Sequence, residues 1–373
     1  MGRVSFAFVL SLALAACTPR GTLVVDPAAA SVGTVESVFI GTTRGIDPKS
    51  GDDFGRERRH SARYTRLDVS IPPEREPGEI HWPSPHRTAD PARDFVSTSA
   101  MLYPGAPAFR ADLARELAKA PRGRREATIF VHGFNTTYAE GAYRLAQLGH
   151  DLDLPGVLVN YSWPSRGHAL AYGYDRDSAL FARDGLEDLL RQVDAAGAGG
   201  VLLVGHSMGA ALTMEALRQI AIRGDRRLLR KIEAVVLISP DIDVDVFRAQ
   251  ATVLTDLRNP IFVFTSRKDR ALRLSARLSG EASRLGNVSD VSELGDVRVT
   301  LLDTTAFATG SGHFNVGNSP MLLTILSRIK DVDDVLAADQ STRTGLLPGA
   351  VLTVQSATQI VLSPVTAISG LQN

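Results

Sequence analysis

From Ala127 onward the chain alternates short, continuously apolar runs with amphipathic helical stretches. The runs are ATIFVHG, GVLVNYSW, GVLLVGHS, IEAVVLISPD, PIFVFTS and VRVTLLDT. A strand that is apolar at nearly every position, rather than every second one, must be covered on both faces. That is the environment of a parallel sheet. Alternation with helices through short connections predicts a doubly wound α/β fold, mostly parallel. The last helix of the series is expected at SPMLLTILSRI, residues 319–329. Two earlier strands, within 35–71, have no helix between them and predict an antiparallel N-terminal edge. The charged, glycine-rich stretch 45–61 between them reads as a surface loop. With 373 residues, 44% of them hydrophobic, the chain can fill a large core. Its 41 basic and 41 acidic residues balance to zero, which gives no reason to expect nucleic acid as a partner.

One junction in this series carries chemistry. GHSMG, Gly205 to Gly209, fits G-x-S-x-G and lies between an apolar run and a helix. A sharp strand-to-helix turn lifts the serine above the sheet, and glycines on either side let neighbouring backbones approach. The helix start behind the serine offers free N–H groups. Ser207 is therefore the expected nucleophile. An oxyanion site needs two donors, the N–H of Met208 and one from the turn after an earlier strand. FVHGFN closes the first strand of the series, so the N–H of Phe134 is the expected second donor. His132 reads as a hydrogen-bonder within that turn rather than as a base.

The N-terminus reads separately. Arg3 precedes the apolar run VSFAFVLSLALAA, which is short for a membrane span and suits a signal h-region. The run ends in LAAC, and Cys17 is the only cysteine in the chain. This resembles a bacterial lipoprotein signal at residues 1–17, which implies cleavage before Cys17, so that the lipidated Cys17 becomes the mature N-terminus. Anchoring by acyl chains then places the protein at the cell envelope. Thr18, where an aspartate would mark inner-membrane retention, favours the outer membrane. Residues 18–34 read as a tether. Residues 333–373, low in charge and rich in Thr, Val, Ser and Leu, have no assigned structure.

The stretches FIGTTR, VSIPPEREPGEIHWP, FVHGFN, YSWPSRG, GHSMG, SPDIDVDVF and GHFNV together resemble the α/β-hydrolase superfamily. More narrowly, they are similar to a bacterial family of largely uncharacterised esterase- or lipase-like proteins. The resemblance covers about residues 35–330, and 35–332 is expected to form one hydrolase domain. It implies the chain order Ser, acid, His. His313, in GSGHFN, is the only histidine after Ser207 and follows the last strand, so it is the implied base. Two acids compete: Asp269, after PIFVFTS, is favoured, and Asp241, one strand earlier, is the alternative. Tyr161 and Trp163 of YSWPSRG either line a substrate pocket or pack beneath their loop. No long insertion follows VLISPD, so no large lid is expected there. His81 and His86 match no zinc spacing, and neither metal nor cofactor is expected.

These residues predict a serine hydrolase that cleaves a small-molecule or lipid ester through an acyl-enzyme. An acyltransferase or thioesterase would use the same residues. A non-catalytic envelope protein on the same fold is a further alternative, since fold alone does not give function. The sequence sets no oligomeric state.

Overall fold

The computed structural model describes residues 21–48, 54–154, 156–281, 283–308, 312–313, 350–356 and 359–363. The signal region with Cys17 and the helix expected at 319–329 lie outside the described residues. Among the described residues, eleven strands form one sheet in the order β11-β10-β9-β8-β7-β6-β4-β5-β1-β2-β3. They are β1 (Thr34–Arg44), β2 (Arg58–Ile71), β3 (Val96–Leu102), β4 (Glu126–Val131), β5 (Val157–Ser162) and β6 (Gly200–His206). Then follow β7 (Ile232–Ile238), β8 (Ile261–Thr265), β9 (Val299–Asp303), β10 (Ala350–Ser356) and β11 (Gln359–Ser363). Strands β4 to β9 pair in parallel, and β1 joins them parallel to β5. The chain has a mixed α/β fold with a parallel centre and antiparallel N-terminal strands.

Strand parity explains the continuous apolar runs. Ile129, Val131, Leu203, Val235, Leu237 and Val263 face one core layer. Their neighbours Phe130, Val204, Val236, Ile238, Phe262 and Phe264 face the other. Successive side chains of a strand point to opposite faces, so a sheet covered on both sides needs apolar residues at both parities. The first layer is closed by α1 (Ala106–Leu117), α3 (Tyr172–Ala195), α4 (Met208–Ile222), α5 (Arg226–Lys231) and α6 (Val244–Ala251). The second is closed largely by α2 (Tyr138–Leu152), whose Thr137 and Glu140 form a reciprocal capping box. The short α7 (Arg270–Leu278) follows β8. No described helix is long and apolar enough to cross a membrane.

Three segments differ from the sequence reading. Arg58 to Ser61 belong to β2 rather than to a loop. Their exposed, charged side chains hid a strand that pairs through its backbone. β3 was unmarked because VSTSAML has few apolar positions on an edge that is half exposed. Residues 21–33, expected to be a tether, are pinned to the domain. Gly21 N donates to Glu140 Oε1 at 3.0 Å, Val24 N donates to the Tyr143 hydroxyl at 3.3 Å, and Ala29 is fully buried. The tail, left open by the sequence, adds two strands: β10 parallel to β9, and β11 antiparallel to β10.

Candidate active site

Parallel strands end at the same edge of a sheet, which is where α/β folds place ligands. The turns after β4, β6 and β8 and the loop after β9 meet there. Ser207 occupies the turn from β6 to α4 at φ 53° and ψ −120°, a left-handed conformation rare for a residue with a side chain. Its N–H donates to the Ile238 carbonyl at 2.9 Å, and its carbonyl accepts from Asp241 N at 3.2 Å. Both flanking glycines are required by space. A methyl at Gly209 would stand 2.2 Å from the His132 carbonyl oxygen, and one at Gly205 would stand 2.8 Å from Ala210 Cα.

Three side chains form one hydrogen-bonded line. His313 Nε2 lies 2.9 Å from Ser207 Oγ, and His313 Nδ1 lies 2.8 Å from Asp269 Oδ2. Asp269 is fully buried, and its other oxygen accepts from Leu272 N at 3.0 Å, capping α7. One carboxylate thus holds both the imidazole and the helix start. Asp241 does not reach His313. Its carboxylate accepts from Ser275 Oγ at 2.6 Å and Tyr172 OH at 2.9 Å, with Arg284 Nε at 3.2 Å. The helix after β7 is capped by Asp243 instead.

The turn after β4 lies against the serine. A methyl at Gly133 would stand 3.0 Å from Ser207 Cβ. Neither Phe134 N–H nor Met208 N–H donates to an acceptor among the described residues. Several buried groups hold this turn, although no charge pattern marked them. Asp175 Oδ2 accepts from Asn135 N at 3.2 Å and Ser165 Oγ at 2.5 Å, and its Oδ1 accepts from Arg166 N at 2.7 Å. Ser165 Oγ in turn accepts from Thr136 N at 3.1 Å. From β1, Arg44 donates to the Thr136 and Ser165 carbonyls, each at 2.8 Å, and to Ser162 Oγ at 2.8 Å. Burial raises the Asp175 carboxyl above its ordinary value, against the donors that surround it. FIGTTR, HGFN and YSWPSRG therefore converge on one loop.

Tyr161 and Trp163 pack beneath that loop. Both are fully buried. Tyr161 OH donates to the Ala182 carbonyl at 2.6 Å, and Trp163 Nε1 donates to the His132 carbonyl at 2.7 Å. Trp163 also stacks on the His132 ring, with centroids 5.0 Å apart. They share strand parity with Val157 and Val159, which already face the core. A cavity of about 140 Å³ lies between α3, α4 and α6, bounded by Met208, Ala211, Leu212, Ile242, Tyr172 and Asp241. The small side chains of Ala179 and Ala211 leave the gap between α3 and α4. Tyr172 meets the Phe134 ring edge-on at 5.6 Å, so the cavity begins beside the turn after β4.

Two histidines near the site stay neutral. Burial, and then the adjacent Arg44 guanidinium, push the His132 imidazole down to about 3. Burial, followed by the charge of His313, pushes His206 well below the usual histidine range. Below about pH 6.5 the unfolded chain binds a proton at each position, while the folded chain does not. Stability contributed at His132 is therefore present above that pH and falls as pH drops towards 3, by up to about 1.4 kcal/mol per pH unit. Thermal unfolding followed from pH 7 to 4 is expected to show a steep loss in the wild type and a shallower one in His132→Asn. Equal slopes would contradict this account.

A family model described as "Alpha/beta hydrolase of unknown function (DUF900)" matches residues 106–326. The chain belongs to that α/β-hydrolase family. The match runs from α1 past His313 and takes in Ser207 and Asp269. No match was found among curated proteins. Solved structures similar to this family member include a protein named as a cell surface hydrolase from Lactobacillus plantarum WCFS1. It has 11% identity and a TM-score of 0.35, with 61% of this chain and all of that chain covered. A protein named as a hydrolase from Agrobacterium vitis S4 has 16% identity and a TM-score of 0.33, covering 82% and 98%. An esterase from Pyrobaculum calidifontis has 14% identity and a TM-score of 0.32, covering 64% and 93%. Likenesses of this size carry no argument about the reaction.

Proposed function

We propose that this α/β-hydrolase cleaves carboxylic esters, with Ser207 as nucleophile, His313 as general base and Asp269 as the acid that orients it. The observation that carries the reading is the continuous line Ser207 Oγ to His313 Nε2 and His313 Nδ1 to Asp269 Oδ2, at 2.9 and 2.8 Å. His313 takes the Ser207 proton as Oγ attacks the ester carbonyl carbon. The carbonyl π electrons move to oxygen, where the Phe134 and Met208 N–H groups receive the negative charge. As the tetrahedral intermediate collapses, His313 returns the proton to the leaving alkoxide, which departs as alcohol. Water then repeats the sequence on the acyl-enzyme and releases the acid. Asp269 fixes the tautomer with Nδ1–H towards itself and favours the imidazolium that forms at each attack. No cofactor takes part in these steps.

The cavity beside Met208 suits the acyl group. Its volume of about 140 Å³ is close to that of an engineered cavity, in a different protein, of about 150 Å³ that holds benzene. Short acyl chains fit that space. Assayed with p-nitrophenyl esters from acetate to hexadecanoate, the full chain is expected to prefer butanoate and hexanoate. Ala211→Trp, which fills the cavity, should lower kcat/KM for hexanoate about tenfold more than for acetate. Absence of turnover across the whole series would refute ester hydrolysis. Turnover with no effect of Ala211→Trp would leave the reaction standing and move the acyl site.

The LAAC sequence supports a second proposal: Cys17 is lipidated and anchors the domain to the bacterial envelope. The intact mass of membrane-fraction protein checks this, and an unmodified Cys17 would refute it.

A further inference from the structure

The outer face of α7 has a composition that the Ser207 site does not use. Arg270, Arg273, Leu274, Arg277 and Leu278 stand at i, i+3, i+4, i+7 and i+8, a single stripe along the helix. All five are exposed, Leu274 by 57% and Leu278 by 66%. Ala271 joins the two leucines on the apolar side of the stripe, and Lys268 extends the cationic side into the preceding turn; both are exposed. The opposite face, Leu272, Ser275 and Ala276, is buried against the domain. The side chains of Lys268, Arg270, Arg273 and Arg277 make no ion pair or hydrogen bond among the described residues. In a chain whose acids and bases cancel, four cations within ten residues, without partners among the described residues, form a strong local excess. By contrast, Arg191 and Arg223 both meet Glu187.

We infer that α7 and its leading turn dock on an anionic lipid surface, with the cations at the headgroup phosphates and Leu274 and Leu278 in the acyl boundary. Charge complementarity selects an anionic partner, and leucines interleaved with arginines select one with an apolar layer beneath the charge. A nucleic acid or acidic protein would satisfy the cations and leave the leucines in water. The placement also matters. Asp269, which caps α7, bonds His313, and Ser275 on the helix's buried face bonds Asp241 at the cavity wall. Docking through α7 holds the Ser207 cleft beside the membrane. The inference stands on the stripe itself and not on the chemistry assigned to Ser207.

The test uses the chain from residue 18 onward, so that neither acylation nor the apolar run before Cys17 contributes, with Leu274→Cys labelled with an environment-sensitive nitrobenzoxadiazole dye. With vesicles of phosphatidylglycerol and phosphatidylethanolamine the dye should shift to the blue and be quenched by lipid-borne spin labels. Vesicles of phosphatidylcholine alone should leave it unchanged. The same dye at Ile222→Cys, 62% exposed at the end of α4, should stay in water. Adding Arg270→Gln, Arg273→Gln and Arg277→Gln should weaken partitioning about a hundredfold, near fivefold per cation, and salt should weaken it further. Sedimentation of the unlabelled triple variant with vesicles checks the result without the dye. An aqueous dye signal at 274 on anionic vesicles, or triple-variant binding equal to wild type, would overturn the inference. So would a response to RNA or polyglutamate with none to vesicles.

Discussion

Ser207→Ala and His313→Ala are each expected to remove about six orders of magnitude of ester turnover, while both variants stay folded. The scale comes from a different serine hydrolase, in which removing either member of the pair costs about 2 × 10⁶ in kcat. Neither side chain carries much of the fold. The Ser207 turn is held by backbone bonds to Ile238 and Asp241, which alanine retains. The His313 side chain is 21% exposed, and its hydrogen bonds run to Asp269 and Ser207. Combining the two substitutions should cost little more than either alone, because each already breaks the same proton path. Steady-state kinetics with the most active p-nitrophenyl ester, alongside circular dichroism, checks both points. Near-normal turnover in His313→Ala would assign the base elsewhere.

Asp269→Asn should lower kcat by roughly two to four orders of magnitude with little change in KM. Asparagine keeps the shape and can still cap α7 through its side-chain oxygen, so the substitution tests charge and tautomer rather than packing. Asp241→Asn should leave kcat within about tenfold, since its partners are Ser275, Tyr172 and Arg284 and not the imidazole. Its cost should fall on stability, because the buried Arg284 beside it loses its counter-charge. The two variants therefore separate in kind: one loses turnover at unchanged thermal midpoint, the other loses midpoint at retained turnover. The reverse pattern would place the acid on the earlier strand.

Much of this site was legible because its parts obey local rules. A strand, a glycine-flanked serine and a helix in succession dictate the Ser207 turn from neighbouring residues alone. His313 followed from chain order and from its place after the strand VRVTLLDT, although two more strands, β10 and β11, come later in the chain. Asp269 is favoured over Asp241 by its position after PIFVFTS, and its carboxylate both bonds His313 and caps α7, with one oxygen each. What escaped the sequence depends on distant contacts. Asp175 sits in YDRDSAL among charges that look alike, and only the fold selects it to bury its carboxylate under Asn135 and Ser165. Arg44 reads as the end of a strand, yet it crosses to a loop 92 residues away. The cavity is bordered by Ala179 and Ala211 from two helices, and neither residue is unusual in its own segment. Tyr161 is the instructive case. Its parity with Val157 and Val159 already pointed inward, and an aromatic near an active-site strand end invited a pocket role that this parity opposes.

The central claim is that Ser207 is an activated nucleophile, and one covalent probe tests it most directly. A fluorophosphonate carries a tetrahedral phosphorus and a fluoride leaving group, so it reacts with a serine whose hydroxyl is being deprotonated beside an oxyanion site. Incubated with the full chain and mapped by peptide mass spectrometry, it should add one phosphonyl group, on Ser207. Labelling should vanish in Ser207→Ala and slow by orders of magnitude in His313→Ala. Wild-type protein that stays unlabelled, or that labels equally in Ser207→Ala, would contradict the account.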